Sequence, residues 1–227
     1  MKQTGNYAKQ LERILQELEQ DGQQERPKLL LHSCCAPCSS YVLEYLREYF
    51  DITVFYYNPN IDSEQEYVHR REEQKELIRL LNRQVEEQDF TGMNSGEKAG
   101  LIRVMDGDYE PQRFYQAVRG YEACPEGGER CGHCFSLRLG ETAARAAALG
   151  YDYFSTTLTI SPLKNAARLN EIGEGMAEQY GIRFLPSDFK KKNGYKRSVE
   201  LSGQFGLYRQ DYCGCIYSKR EREEQVK

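Results

Sequence analysis

The alternation of predicted strands and helices in this 227-residue sequence indicates an α/β fold with a mainly parallel sheet. Short runs rich in apolar, β-branched and aromatic residues are typical of strands, and longer amphipathic segments between them are typical of helices. The run at residues 29–31 is wholly apolar, which indicates a strand buried on both faces, as in parallel sheets. A chain of this length suits one domain with small additions.

In the first half of the chain, helical periodicity and turn residues place six elements. The leucines and isoleucine near the N-terminus recur on one helical face. Ser39 and Ser40 are the candidate N-caps of the helix that follows the first strand. The predicted elements are a helix at 7–21, a strand at 29–31, a helix ending near 46, a strand at 52–57, a helix at 62–83 and a strand at 84–90.

The second half continues the alternation until Pro186. A glycine at position 150 is a plausible C-terminal residue for the longest helix pattern there. The segment after Pro186 breaks the alternation, and we expect it to form a helical or irregular cap over the strand ends. The predicted elements are a helix at 111–118, a helix at 131–149, a strand at 153–158, a helix at 165–180 and a strand at 182–185.

Composition is that of a globular protein, with 39% hydrophobic and 29% charged residues. No apolar run approaches the length of a membrane span, and the polar start of the sequence lacks the apolar core of a signal peptide. We therefore expect a cytoplasmic protein without a membrane partner. The net charge of −4 is uneven, because residues 181–227 contribute +5. This excess predicts either a surface that binds a polyanion or a solvated charged surface.

The eight cysteines are the most informative residues. In a cytoplasmic chain of this length they indicate metal binding or catalysis rather than a disulfide scaffold. Seven of them fall in three motifs, and Cys124 stands alone in a loop rich in proline and glycine. The motifs are Cys34-Cys35-Ala36-Pro37-Cys38, Cys131-Gly132-His133-Cys134 and Cys213-Gly214-Cys215.

The first two motifs each lie at the start of a predicted helix, where the positive helix end favours thiolate. The turn after the first strand also lies where parallel sheets bind ligands. Together the motifs predict a site with four thiolates, and the ligand type suits zinc and an iron–sulfur cluster equally.

The third motif indicates redox chemistry. A disulfide between Cys213 and Cys215 would close a small, strained ring, which is easily reduced, and Gly214 would give the backbone its freedom. Such a pair takes up or releases two electrons, which a structural zinc would not need. The alternative is that both cysteines are further metal ligands.

These motifs, in combination with other segments, resemble the QueH-type epoxyqueuosine reductases, a family formerly described as a domain of unknown function. The resemblance covers about residues 28–218. The segments that carry it are Leu29–Cys38, Tyr57–Ile61, Glu129–Cys134 with Arg138-Leu139, Phe154–Leu158 with Ser161-Pro162, Asp188–Lys191 and Tyr208–Cys215. It divides the chain into an N-terminal helical extension (1–27), the α/β reductase domain (28–218) and a charged C-terminal tail (219–227).

The resemblance implies a Rossmann-like fold related to the PP-loop (HUP-like) enzymes, with helices on both faces of the sheet. The phosphate loop of those relatives is replaced here by the cysteine turn, so we do not expect ATP use. The implied reaction is the last step of queuosine biosynthesis: epoxyqueuosine at the wobble position of tRNA is reduced to queuosine without cobalamin. The resemblance also implies a [4Fe-4S] cluster and a nearby additional iron, and it leaves the electron donor and the oligomeric state undetermined.

Residue by residue, the resemblance assigns the cluster ligands to Cys34, Cys35, Cys131 and Cys134, and the redox-active disulfide to Cys213 and Cys215. The ligands of the additional iron are unknown, with Cys38 a candidate by proximity. We consider Asp188, Asp211 and Tyr212 as possible proton donors. We predict that phosphates of the tRNA contact the basic residues Lys190, Lys191, Lys192, Lys196 and Arg197.

Two alternative functions remain open at this point. One is an enzyme that carries out thiol or sulfur-transfer chemistry on tRNA without a cluster. The other is a non-catalytic zinc module that binds RNA.

Overall fold

The computed structural model describes residues 6–20 and 25–226. Residue 21, at the end of the first predicted helix, and residue 227, in the predicted tail, lie outside the described residues. The strands are β1 (Lys28–Ser33), β2 (Asp51–Tyr56), β3 (Arg103–Asp106), β4 (Tyr153–Thr156) and β5 (Arg183–Phe184). The helices are α1 (Tyr7–Gln20), α2 (Ala36–Leu46), α3 (Glu64–Glu87), α4 (Pro111–Ala117), α5 (Glu129–Ala148), α6 (Ala166–Tyr180), α7 (Gly194–Gln204) and α8 (Ile216–Val226), with a 3-10 turn at Thr157–Ile160.

The five strands form one parallel sheet in the order β3-β2-β1-β4-β5. In register, Leu30 of the central strand lies between Thr53 of β2 and Phe154 of β4. The chain winds outward from β1 to β3 and then returns to the other side of β1 with β4. The switch in winding direction therefore falls between β1 and β4, at the edge where open parallel sheets bind their ligands.

Helices cover both faces of the sheet, as the resemblance implied. Side chains alternate along β1, so that Leu29 and Leu31 pack with α1, α2 and α3, whereas Leu30 packs with α5 and α6. The two apolar cores on either side explain why the strand sequence is continuously hydrophobic. The predicted α/β class with a parallel sheet is confirmed.

The start of α2 differs from the prediction. The helix begins at Ala36, with Cys35 as the N-cap residue, so Ser39 and Ser40 lie inside the first turns. Pro37 favours this earlier start, because its fixed φ suits the first turn of a helix. The two serine hydroxyls donate back to the carbonyls of Cys35 (2.9 Å) and Pro37 (3.0 Å) instead of capping. As a consequence, Cys38 is a helical residue.

The strand predicted at 84–90 is wrong. Helix α3 continues to Glu87 and ends at Gln88, which is left-handed (φ 53°). The continuation is held by the buried Arg47, which donates to the Leu81 carbonyl (3.2 Å) and to Gln84 Oε1 (3.1 Å). The third strand is β3 instead. It lies at the edge of the sheet and is largely exposed, so it lacks the apolar pattern by which strands are predicted.

The residues after Pro186 form the expected C-terminal cap. Helix α7 packs on α2. Beyond it, residues 209–213 run past the cysteine turn at the carboxyl ends of the strands, and α8 follows. Gly194, at the start of α7, lies so close to the Phe189 carbonyl and the Tyr41 ring that a Cβ atom there would clash with both.

Candidate metal and thiol site

The cysteine turn follows β1 directly and brings three thiols together. The sulfur atoms of Cys34, Cys35 and Cys38 all lie within 4.8 Å of one another, a spacing that one metal centre can bridge. Cys34 Sγ lies 3.7 Å from Cys35 Sγ and also 3.7 Å from the Thr157 hydroxyl, which follows β4. The turn therefore lies at the switch between β1 and β4. Among the described residues, no other group of three or more candidate ligands comes as close together.

The three thiols of the cysteine turn differ in pKa. Hydrogen bonds from the Cys35 and Cys38 thiols, with added attraction from Lys164 and Arg138, lower the pKa of Cys34 well below that of an ordinary thiol. The same hydrogen bonds raise the pKa of Cys38 and raise that of Cys35 to about 12. Cys34 is thus the first thiolate of the turn and the natural first ligand for a cation.

A second thiol group forms at the start of α5. Cys131 and Cys134 line an enclosed space of about 10 Å³ together with Cys213 and Cys215. Burial raises the pKa of Cys131 and raises that of Cys134 to about 11. Burial, and after it the proximity of Cys213, raises the pKa of Cys215 to about 12. The structure thus places the C-x-x-C and C-x-C motifs side by side.

The C-x-C turn is held against the loop after β2. Gly214 has φ +116°, which confirms the expected backbone freedom at this position, and its carbonyl accepts from the Asp62 amide at 2.8 Å. The Tyr212 hydroxyl donates to Asp62 Oδ1 at 3.2 Å. The buried Arg70 donates to the Cys213 carbonyl at 3.4 Å and stacks on the Tyr212 ring. These contacts hold the backbone of the C-x-C turn in place.

Arg138 of α5 is a fully buried cation between the two thiol groups. Its Nη2 donates to Asn58 Oδ1 at 2.5 Å and its Nε donates to His32 Nε2 at 3.2 Å. His32 Nε2 also lies 3.1 Å from the Tyr57 carbonyl, and Nδ1 lies 2.9 Å from the Thr156 hydroxyl. Burial, and then Arg138, lowers the pKa of His32 to about 3, so this histidine is a neutral structural link.

The surroundings of Arg138 fit an anionic metal–sulfur group. The guanidinium attracts the thiolate forms of both Cys34 and Cys134. Its Nη1 is buried without a hydrogen-bond partner among the described residues. A buried, unpartnered donor costs free energy unless an acceptor arrives, and cluster sulfur is such an acceptor. The donor set, made only of thiols, suits iron–sulfur or zinc binding.

An open cavity of about 310 Å³ lies over the cysteine turn. Its wall combines thiols, one lysine, tyrosines and polar residues of the 209–213 segment. Cys213 lines both this cavity and the enclosed space, so it connects the two thiol groups. The lining of this cavity includes Cys34, Cys38, Lys164, Gln210, Asp211, Tyr212 and Cys213.

Two residues in this wall carry no role in the sequence interpretation. Lys164 lies beyond the 3-10 turn that follows β4, and the rule that ligands bind beyond strand ends is the signal that would have identified it. Burial opposes its charge, but Cys213, Cys34 and Cys38 together raise the pKa of Lys164. Gln210 Oε1 is buried without a hydrogen-bond partner among the described residues. No sequence pattern marks that position.

The other predicted site residues are only partly brought together. Asp211 and Tyr212 line the open cavity, whereas Asp188 lies outside it and pairs with Lys190 at 3.3 Å. Cys124 lines neither cavity.

The basic residues of the C-terminal region differ in their availability. Lys196 is 76% exposed, and Lys192 is exposed beside Glu12. Arg197 is only 18% exposed and is bound by the buried Glu44 at 2.6 Å. The predicted role in phosphate binding is thus unsuited to Arg197, because its charge is already neutralised within the fold.

In the two ranges that the structure describes, no helix is both long and apolar enough to cross a membrane.

The fold and the site together define a class: a Rossmann-like α/β protein with a cluster of three thiols, close enough to bind one metal, at the switch point of its sheet. The sequence model of the family described as epoxyqueuosine reductase QueH matches residues 29–221. The chain therefore belongs to the epoxyqueuosine reductase QueH family.

Curated relatives with that name agree over most of their length. The protein of Staphylococcus epidermidis is 42% identical over 94% of this chain and 84% of its own length. That of Streptococcus pyogenes is 42% identical over 92% of this chain and 78% of its own length. That of Thermotoga maritima is 36% identical over 87% of this chain and 93% of its own length.

Proposed function

We propose that this chain reduces epoxyqueuosine to queuosine at the wobble position of tRNA, in the cytoplasm and without cobalamin. The observation that carries the proposal is the gathering of seven of the eight cysteines around the switch point in a chain of this family. Four of these cysteines, Cys34, Cys35, Cys38 and Cys213, line the open cavity, which we take as the substrate site.

The cofactor that we propose is a [4Fe-4S] cluster held by Cys34, Cys35, Cys131 and Cys134, with an additional iron near Cys38. The proposal is supported by the all-thiol donor set and by the unpartnered Nη1 of Arg138, which is positioned for anionic sulfur. When bound, the cluster supplies single-electron transfer and the additional iron supplies a Lewis acid for the epoxide oxygen.

We assign the two reducing equivalents to Cys213 and Cys215. Removal of the epoxide oxygen needs two electrons and two protons and yields an alkene and water. Two thiols that close to a disulfide release two electrons and two protons, so the exchange balances. An external electron donor must then reduce the disulfide before the next turnover. The position of Cys213 on both cavities supports its role as the thiol nearer to the substrate.

We expect the substrate nucleoside to turn out of the base stack of the tRNA and to bind in the open cavity. A volume of about 310 Å³ admits one modified base with its side chain. The unpartnered Gln210 Oε1 offers an acceptor for an N–H group of the base, and the exposed lysines near α7 offer contacts for phosphates.

The direct test uses protein purified under anaerobic conditions, tRNA that carries epoxyqueuosine, and a chemical reductant. We expect nucleoside analysis by mass spectrometry to show queuosine formed with loss of the epoxide oxygen. If the epoxide survives with fully loaded protein, the proposed activity is wrong. Colour and metal analysis decide between the alternatives, because a [4Fe-4S] protein is brown, whereas a zinc module is colourless. Turnover by colourless, metal-free protein would favour the thiol or sulfur-transfer enzyme.

A further inference from the structure

Lys164 lies in the short segment between the 3-10 turn and α6, and both sides of this segment are anchored. The Lys164 amide donates to the Ser161 carbonyl at 3.3 Å, and the Lys164 carbonyl accepts from Lys190 Nζ at 3.2 Å. The next residue, Asn165, caps α6 by accepting from the Arg168 amide at 3.1 Å. The lysine side chain therefore extends into the open cavity from a fixed backbone.

Lys164 lines the same cavity as the thiols of Cys34, Cys38 and Cys213. Burial lowers the pKa of Lys164, but any negative charge on these cysteines raises it, and the net direction is upward despite Arg138. In the part of the chain that the structure describes, no carboxylate forms an ion pair with Lys164. An ammonium without a carboxylate partner keeps its three N–H donors available for a ligand.

The other two cations in the cavity wall, Arg209 and Arg222, each have a partner. Arg209 donates to the Ser202 hydroxyl at 3.0 Å, and Arg222 lies 3.9 Å from Asp211. The Tyr212 hydroxyl donates to Asp62. Arg138 is sealed behind the thiols. Lys164 is the cation of this wall, within the described residues, that remains available to a substrate.

We propose that Lys164 is a catalytic residue that donates a hydrogen bond from Nζ to the epoxide oxygen of the substrate. This inference rests on the proposed function. As the carbon–oxygen bond breaks, its electron pair goes to the oxygen, and the ammonium stabilises the negative charge that develops there.

The step balances without consuming Lys164. Cys213 and Cys215 close to a disulfide and provide two electrons and two protons, the oxygen leaves as water, and the two carbons form the alkene. Lys164 keeps its charge and acts as a fixed donor in a site from which water is partly excluded. Lys164 and Cys213 line the same cavity, so the donor and the reducing thiol are both accessible to a substrate bound there.

The test compares Lys164→Met, Lys164→Gln and Lys164→Arg with a control on α3, Lys75→Gln, whose lysine pairs with Asp106 at 2.7 Å. We expect single-turnover reduction to fall at least ~100-fold in the Met and Gln variants, as when one donor to an oxyanion is removed. The Arg variant should retain part of the rate because it keeps the cation. Iron and sulfide content should equal that of the control.

A binding measurement without reductant provides a second readout that does not depend on turnover. The unsubstituted protein should bind tRNA with epoxyqueuosine more tightly than tRNA with queuosine, and Lys164→Met should remove this preference. If the unsubstituted protein does not reduce the epoxide, only the proposed function is rejected. The binding preference then still tests whether Lys164 contacts the epoxide oxygen. Three results would each overturn the proposal: reduction by Lys164→Met at the control rate, an unchanged binding preference, or loss of iron in the Met variant. Loss of iron would show that Lys164 serves as a counter-charge for the thiols.

Discussion

Cys213 is the residue on which the interpretation of the site depends. It lines the open cavity with the cysteine turn and the enclosed space with the C-x-x-C pair. It also belongs to a C-x-C pair whose central glycine has the positive φ that such a turn requires. A thiol in this position is suited either to relay electrons or to complete a metal site, and the two roles have different consequences for iron binding.

At the residue scale we predict that Cys213→Ser and Cys215→Ser each keep near-normal cluster iron and lose epoxide reduction. The reason is that a serine cannot form the disulfide, whereas the proposed ligands stay in place. Alkylation followed by mass spectrometry should find both cysteines protected in oxidised protein and labelled after reduction. Loss of iron in either variant would make the pair metal ligands and exclude the two-electron relay.

The complementary prediction concerns the four proposed ligands. Serine at position 34, 35, 131 or 134 should remove or sharply reduce cluster iron, because each cysteine supplies one of four thiolates. Cys124→Ser is the matched control and should keep full iron, since Cys124 lines neither cavity. Iron and acid-labile sulfide in anaerobically purified protein are the quantities to measure. Full content in Cys131→Ser would reject the assignment.

At the scale of elements, α7 is tied to α2 by an ion pair beneath the basic surface. Glu44 is almost fully buried and accepts from Arg197 at 2.6 Å, while it also accepts from the Asn94 amide at 2.9 Å. The same arginine donates to the Gly92 carbonyl at 2.6 Å. Arg197 therefore connects α7, α2 and the loop after α3.

We predict that Arg197→Ala lowers the free energy of unfolding by about 3 kcal/mol, because it leaves a buried carboxylate without its cation. The matched control is Lys196→Ala, whose side chain is exposed and lies 3.9 Å from Glu200; it should change stability by less than about 0.5 kcal/mol. Urea unfolding followed by circular dichroism measures both. Equal, small effects would show that the Glu44 pair contributes little.

At the scale of the whole molecule, charge is separated along the sequence. The C-terminal 47 residues carry +5 and the remainder −9. Part of the positive charge is balanced locally, since Lys190 pairs with Asp188 and Lys192 with Glu12. Lys191 and Lys192 before α7 and Lys196 on it are exposed, so they are the most accessible candidates for tRNA phosphates.

We predict that replacement of Lys190, Lys191 and Lys192 by alanine weakens tRNA binding and reduces its salt dependence. Each lost phosphate contact should lower the slope of log affinity against log salt by about 0.7–0.9. The control replaces Lys75, Arg79 and Arg83 of α3, which changes the net charge equally. If the tRNA affinity and its salt dependence match those of the control, Lys190, Lys191 and Lys192 belong to a solvated surface that does not bind tRNA.

Much of the fold follows from the sequence pattern, because a buried strand or an amphipathic helix has a characteristic order of apolar and polar residues within its own segment. Two of the three wrong predictions depend on tertiary structure instead. Strand β3 is exposed at the sheet edge and has no apolar pattern, and the end of α3 depends on Arg47, a residue on another helix. The start of α2 was misplaced because the serine hydroxyls bond within the helix.

The sequence by itself determined the α/β class, the parallel sheet and the three cysteine motifs at turns and helix starts, because these depend on neighbours within a few residues. Only the tertiary structure decided which motifs share a cavity. The C-x-x-C pair lies beside the C-x-C pair, Cys38 joins Cys34 and Cys35, and Arg138 and Lys164 lie against the thiols. Spacing along the chain limits only local reach, whereas the distance between two turns depends on strand order and on how the helices cross the sheet.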